Sequence, residues 1–196
     1  MKARDLLDGR ILTFSNFLSL SRVMLFPLAA YALHLESVSG NIQYCYYAII
    51  VLGVMVITDI FDGFFARLFN QVSRLGQFLD PVADKIATTG MAFVLFYFRE
   101  MPLWIVLVIL FRDLINIYGG FIMFYKRDIQ VRPNLLGKIL VLILAVSGFV
   151  FIAAPGFVLY GITLQDVCVA LILLFAVVSD VAYWKTYSYL YLDRQR

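Results

Sequence analysis

Six stretches of this chain are long and apolar enough to cross a membrane, and they leave few other folds open. A helix needs about 20 predominantly apolar residues to span the hydrocarbon. The runs fall at 16–36, 42–66, 82–98, 102–125, 136–154 and 163–184. Turn-forming clusters separate them: Ser39-Gly40-Asn41, Arg99-Glu100-Met101-Pro102, Arg132-Pro133-Asn134 and Ala154-Pro155-Gly156. The runs are apolar all round, which argues against a β-barrel, whose strands alternate apolar and polar residues. Hydrophobic residues make up 63% of the 196, against about 45–50% in soluble domains. A chain this small has too much surface to hide such an excess in a soluble core. The expected fold is an all-α membrane protein, six transmembrane helices in one bundle. Residues 1–14 are read as a juxtamembrane segment forming a short interfacial helix, with Leu6, Leu7, Ile11 and Leu12 on one side, and 15–196 as a single domain. The opening MKARDLLDGR is mixed in charge and lacks the apolar core of a signal peptide.

Orientation follows from the basic residues. With six spans both termini share a side, and that side collects thirteen of the sixteen Lys and Arg, including Arg67, Arg74, Lys126, Arg127, Arg132 and Lys138. The opposite side carries only Arg99, while Arg22 and Arg112 fall within spans. Both termini and the connections 67–81 and 126–138 are therefore expected in the cytoplasm. Cys45 and Cys168 sit in apolar runs without metal-like spacing and read as small buried residues.

Against this background four aspartates stand out: Asp59, Asp62, Asp80 and Asp84. A charge at the bilayer centre costs at least about 2.5–3.5 kcal/mol on insertion scales, so these carboxylates need partners or water. Residues three or four apart share a helix face. Asp59 and Asp62 then form one acidic face at the cytoplasmic end of the second span. Asp80 and Asp84 form another at the start of the third. A short connection over roughly 67–79 makes these helices antiparallel neighbours whose acidic faces converge on a cavity open to the cytosol.

An all-oxygen set suits hard cations such as Mg²⁺, Mn²⁺ or Ca²⁺. The only histidine, His34, lies at the far end of the first span, so a zinc site built on histidine or thiol is excluded. Paired divalent ions can clamp a phosphoryl group, and a carboxylate can serve as base toward an incoming hydroxyl. Gly63 and Gly76 either let backbone approach a phosphorylated ligand or, for Gly63, simply allow helices to pack closely. Ala66 fits either reading. Arg67, just beyond Asp62, is a snorkelling anchor or a phosphate contact.

The pattern Asp59-x2-Asp62-Gly63-x2-Ala66-Arg67-x8-Gly76-x3-Asp80-x3-Asp84 resembles the motif of the CDP-alcohol phosphotransferases at all eight fixed positions. The six-span layout is similar to that family's too. The resemblance implies transfer of a phosphoalcohol group from a CDP-linked donor, here CDP-diacylglycerol, to an alcohol acceptor with release of CMP. It implies that Asp59, Asp62 and Asp80 bind one or two divalent ions, Mg²⁺ or Mn²⁺, with Asp84 near the second. Asp84 would deprotonate the acceptor hydroxyl for attack on the β-phosphorus. Asp62, Gly63, Ala66, Arg67, Gly76 and Asp80 would line the cytidine nucleotide site. It also implies a homodimer in a lipid bilayer, in a prokaryotic cell (inner) membrane with the active site facing the cytoplasm. No nucleic-acid partner is expected.

The motif leaves the acceptor open. A phosphorylated acceptor needs further cations, and the candidates are Arg112 in the fourth span with Arg132 and Lys138 around the start of the fifth. Arg112 either pairs with a motif aspartate or binds a phosphate, because a buried arginine is costly without a counter-ion. Its neighbour Asp113 is expected on another face of the helix. Leu136-Gly137-Lys138-Ile139 is similar to a stretch of the phosphatidylglycerophosphate synthases, which points to glycerol 3-phosphate. Arg112-Asp113 is closer to the cardiolipin synthases, which use phosphatidylglycerol. Inositol phosphate, inositol, serine or a CDP-amino-alcohol reaction are further readings within the family. A divalent-cation transporter is disfavoured: the acids cluster at one membrane face, Asp166 and Asp180 do not repeat their spacing, and no inverted repeat is evident.

Overall fold

The computed structural model describes residues 14–69, 74–127 and 135–193, with side chains over 20–61, 82–119 and 135–185 except 159. Six helices account for nearly all of it: α1 Phe14–Ser39, α2 Gln43–Phe69, α3 Arg74–Arg99, α4 Leu103–Arg127, α5 Leu135–Ala153 and α6 Leu164–Asp193. They form two units, one ending at Glu100 and one beginning at Met101. The interfacial helix expected over 1–14 falls outside the described residues but for Phe14.

In the first unit α1 is the helix on which both α2 and α3 pack. The buried stripe of α2 runs Cys45, Ala48, Leu52, Met55, at helical spacing. Asp59 continues it by one more turn. On α1 the buried positions are Arg22, Ala29, Ala32 and Leu33. Small residues bring α3 close: Ala83 and Ala87 are buried, and a Cβ on Gly90 would lie 2.9 Å from the ring of Phe26. Such close approach is how helices associate where lipid removes the hydrophobic drive.

Polar contacts fix the register. Arg99 pairs with Glu36 and donates from Nη2 to Cys45 Sγ at 3.7 Å, joining all three helices at one end. Arg22 pairs with Asp59 toward the other end. The two ion pairs lie 14 residues apart on α1, about 21 Å of helix. Glu36 level with Cys45 and Arg22 level with Asp59 make α1 and α2 antiparallel. Gly90 beside Phe26, and the Phe98 ring 6.3 Å from that of His34, make α3 parallel to α1.

In the second unit α6 packs on α5 and touches α4. Leu140, Ser147, Phe151 and Ile152 of α5 are buried, as are Cys168, Val169, Ile172, Ala176 and Ser179 of α6. Between α5 and α6 a hairpin pairs β1 (Val158–Leu159) with β2 (Ile162–Thr163). Its two-residue turn puts Tyr160 at φ 53° and Gly161 at φ 81°, the left-handed pair that matches strand twist. Thr163 then caps α6: its Oγ accepts from the Asp166 N–H at 3.0 Å and donates to the Asp166 carboxylate at 2.5 Å.

The connection read as 67–79 is shorter, because α2 continues to Phe69 and α3 starts at Arg74. Charged residues within 67–79 made that stretch look like loop, yet they are compatible with helix ends at a membrane surface. The fold is all-helical apart from the small hairpin. Among the described residues three helices meet the length and apolarity needed to cross a membrane: Gln43–Phe61, Leu135–Ala153 and Leu164–Lys185.

Candidate active site

Asp59 and Asp84 are the motif carboxylates whose side chains the structure describes. Asp59 completes the buried face of α2, and there it meets the guanidinium of Arg22 from α1, Nη1 donating to Oδ1. The arginine side chain is 5% exposed and the aspartate 40%. The pair therefore joins a buried cation to a carboxylate that still reaches the surface of the unit. An arginine within a span either turns to a polar partner or snorkels to the interface. The burial of Arg22 and its pairing with Asp59 decide for the former.

Asp84 follows Ala83 on α3 and is half-buried. Thr88 Oγ1 donates back to the Asp84 carbonyl at 2.9 Å. The register of α3 on α1 puts Asp84 within roughly 3 Å of helix rise of the level of Arg22, and so near the level of Asp59. The side chains of Asp62, Gly63, Ala66, Arg67, Gly76 and Asp80 lie outside the described residues, although their positions fall within α2 and α3.

The donors fit a hard divalent cation by their chemistry. They are carboxylate oxygens, and His34 lies with Phe98 toward the Arg99 end of the unit. A guanidinium already docked on Asp59 shows that this oxygen accepts a positive partner. Among the described residues no three His, Cys, Asp or Glu side chains cluster closely enough to hold a metal.

The second unit holds a separate polar cluster. The buried stripe of α4 begins apolar with Ile105, Val106 and Ile109, then turns polar at Arg112, Asp113 and Asn116. That of α6 passes from Ile172 and Ala176 to Ser179 and Asp180. The polar segments meet. Arg112 donates from Nη1 to Asp113 at 3.0 Å and from Nη2 to Ser179 Oγ at 3.1 Å. Its Nε lies 3.1 Å from Asp180 Oδ1, out of line for a hydrogen bond. Asn116 Nδ2 donates to the same Asp180 oxygen at 3.1 Å.

This corrects the placement of Asp113 on a face away from Arg112. Adjacent helical residues do not ordinarily face each other, but the long guanidinium folds back to its neighbour. Asp113 is 3% exposed, and the hydrogen bond from Arg112 gives this buried carboxylate a partner. Two carboxylates thus flank one arginine. Lys138 stands exposed near the start of α5, and Arg132 lies outside the described residues. The sequence signal for Asn116, Ser179 and Asp180 was the polar interruption of two apolar stripes.

Comparison with known proteins decides the family. The family described as CDP-alcohol phosphatidyltransferase matches residues 12–182. The chain belongs to the CDP-alcohol phosphatidyltransferase family. It is 35% identical over 134 residues to a CDP-diacylglycerol–glycerol-3-phosphate 3-phosphatidyltransferase of Aquifex aeolicus, covering 67% of this chain and 71% of that one. Similarity to the Bacillus subtilis protein of the same description is 30% over 183 residues, 88% of this chain and 92% of the relative. A probable cardiolipin synthase (CMP-forming) of Drosophila melanogaster is 34% identical over 146 residues, 66% of this chain but 43% of its own length. As a CDP-alcohol phosphatidyltransferase the protein is a transferase of phospholipid synthesis, and its apolar helices make it an integral membrane protein.

Proposed function

We propose that this enzyme transfers the phosphatidyl group of CDP-diacylglycerol to glycerol 3-phosphate and releases CMP. The complete motif over 59–84 carries the reading. Relatives described by this activity, one aligned over 88% of the chain, support it. Asp59, Asp62, Asp80 and Asp84 hold one or two divalent ions, Mg²⁺ or Mn²⁺. Divalent ions held by these carboxylates would supply positive charge to neutralise the donor's pyrophosphate. Asp62, Gly63, Ala66, Arg67, Gly76 and Asp80 bind the cytidine nucleotide.

Asp84 takes the proton of the acceptor hydroxyl as its oxygen attacks the β-phosphorus. The bond from that phosphorus to the CMP oxygen breaks, and CMP leaves. Arg112, Arg132 and Lys138 receive the acceptor. The chain crosses the bilayer six times with both termini in the cytoplasm, where the water-soluble substrates are, and works as a homodimer in a bacterial inner membrane.

One observation favours a second acceptor. Arg112 is already engaged by Asp113, Ser179 and Asp180. A phosphate dianion approaching Arg112 meets the two carboxylates already beside it, whereas the neutral glycerol headgroup of phosphatidylglycerol is not repelled by them. The two readings separate in a product assay. Purified protein with labelled CDP-diacylglycerol and Mg²⁺ is offered glycerol 3-phosphate or phosphatidylglycerol. Phosphatidylglycerophosphate is the expected product. Cardiolipin alone would transfer the assignment to the second reading.

A further inference from the structure

We propose that Arg22 is a positioning residue for the cation site: it is the resident counter-ion of Asp59 and lowers that site's affinity for divalent metal. The inference rests on the reading of Asp59 as a metal ligand and adds to it a residue outside the motif, from another helix.

The geometry requires a compromise at Asp59. Its carboxylate ends the buried face of α2, inside the apolar span Gln43–Phe61. Without a cation it would be an uncompensated charge at a helix interface. Arg22 Nη1 supplies that compensation. Because the arginine side chain is only 5% exposed, it cannot withdraw into water when a metal arrives. Asp59 is 40% exposed, so the ion enters from the open side. The incoming ion then meets a carboxylate already sharing Oδ1 and a fixed positive charge behind it. Both effects weaken binding, and both are absent if the charge at position 22 is removed. Arg22 thereby keeps the site ordered between turnovers and keeps its metal exchangeable.

Mn²⁺ binding to the full chain in lipid nanodiscs, read from the free-ion electron paramagnetic resonance signal, tests this without turnover. Arg22→Gln should bind Mn²⁺ about 5-fold or more tightly than wild type, the lower end of coupling between adjacent sites. Arg22→Lys should stay near the wild-type value because it keeps the charge. Equal or weaker binding by Arg22→Gln would overturn the inference and leave Arg22 a packing anchor. A Lys variant as tight as the Gln variant would also overturn it, since charge would not be the cause. Absence of saturable Mn²⁺ binding in the wild type would instead refute the metal reading of the motif, and the inference with it. Should Arg22→Gln fail to fold, wild-type protein with ¹⁵N-labelled guanidinium groups gives the answer. The Arg22 resonance should shift on saturation with Mg²⁺, and an unmoved resonance contradicts the proposal.

Discussion

Charges that look alike do different work in this chain. Asp84 is the proposed base, so Asp84→Asn should lower turnover by about 10²–10⁴-fold while CDP-diacylglycerol binding persists. Rapid turnover in a folded variant would remove that role. Arg112 is the proposed acceptor contact, so Arg112→Ala should raise the acceptor KM more than the donor KM. Equal changes would reduce it to an internal tie among Asp113, Ser179 and Asp180. The motif stands out in sequence because its eight positions match the family's pattern at fixed spacing. Arg22 was only half legible. Helical periodicity could place it on a face, but nothing local revealed that its partner sits 37 residues away on α2. Asp113 misled for the opposite reason: adjacency suggested separate faces, and the length of an arginine side chain overrode it.

Helix-scale packing explains how two motif carboxylates come to one level. The ion pairs at Arg22–Asp59 and Glu36–Arg99 set the register of α1, and Gly90 against Phe26 sets its distance from α3. Gly90→Val puts atoms into the Phe26 ring and should destabilise the fold by about 1–3 kcal/mol, as overpacking does. Thermal unfolding in detergent measures it, and Phe26→Ala should recover part of the loss. An unchanged melting temperature would show that the α1–α3 approach is not tight. Apolar runs made the helices readable, since period and length both point to spans. The hairpin at 158–163 was not readable. It lies in one apolar stretch with α6, its strands have two residues each, and its turn is Tyr-Gly, not the stronger Asn-Gly.

The proposed topology has six crossings with the motif facing the cytoplasm. Single cysteines outside the apolar runs test the topology, and the native Cys45 and Cys168 are buried and give little background. A membrane-impermeant maleimide applied to spheroplasts should label Tyr160→Cys, whose native side is 98% exposed, and Ser39→Cys. Gln130→Cys should label only after permeabilisation. Labelling of position 130 from outside would reverse or break the six-span arrangement. The basic-residue bias already pointed this way in sequence.

The proposed function stands on cation-dependent transfer at the 59–84 carboxylates. CMP release from CDP-diacylglycerol in the presence of glycerol 3-phosphate measures it directly, on one preparation, before chelation, after chelation and after added Mg²⁺. The account predicts release that chelation abolishes and Mg²⁺ restores, with Asp84→Asn silent in all three conditions. Full CMP release in excess chelator, or from the Asp84→Asn enzyme, would contradict it.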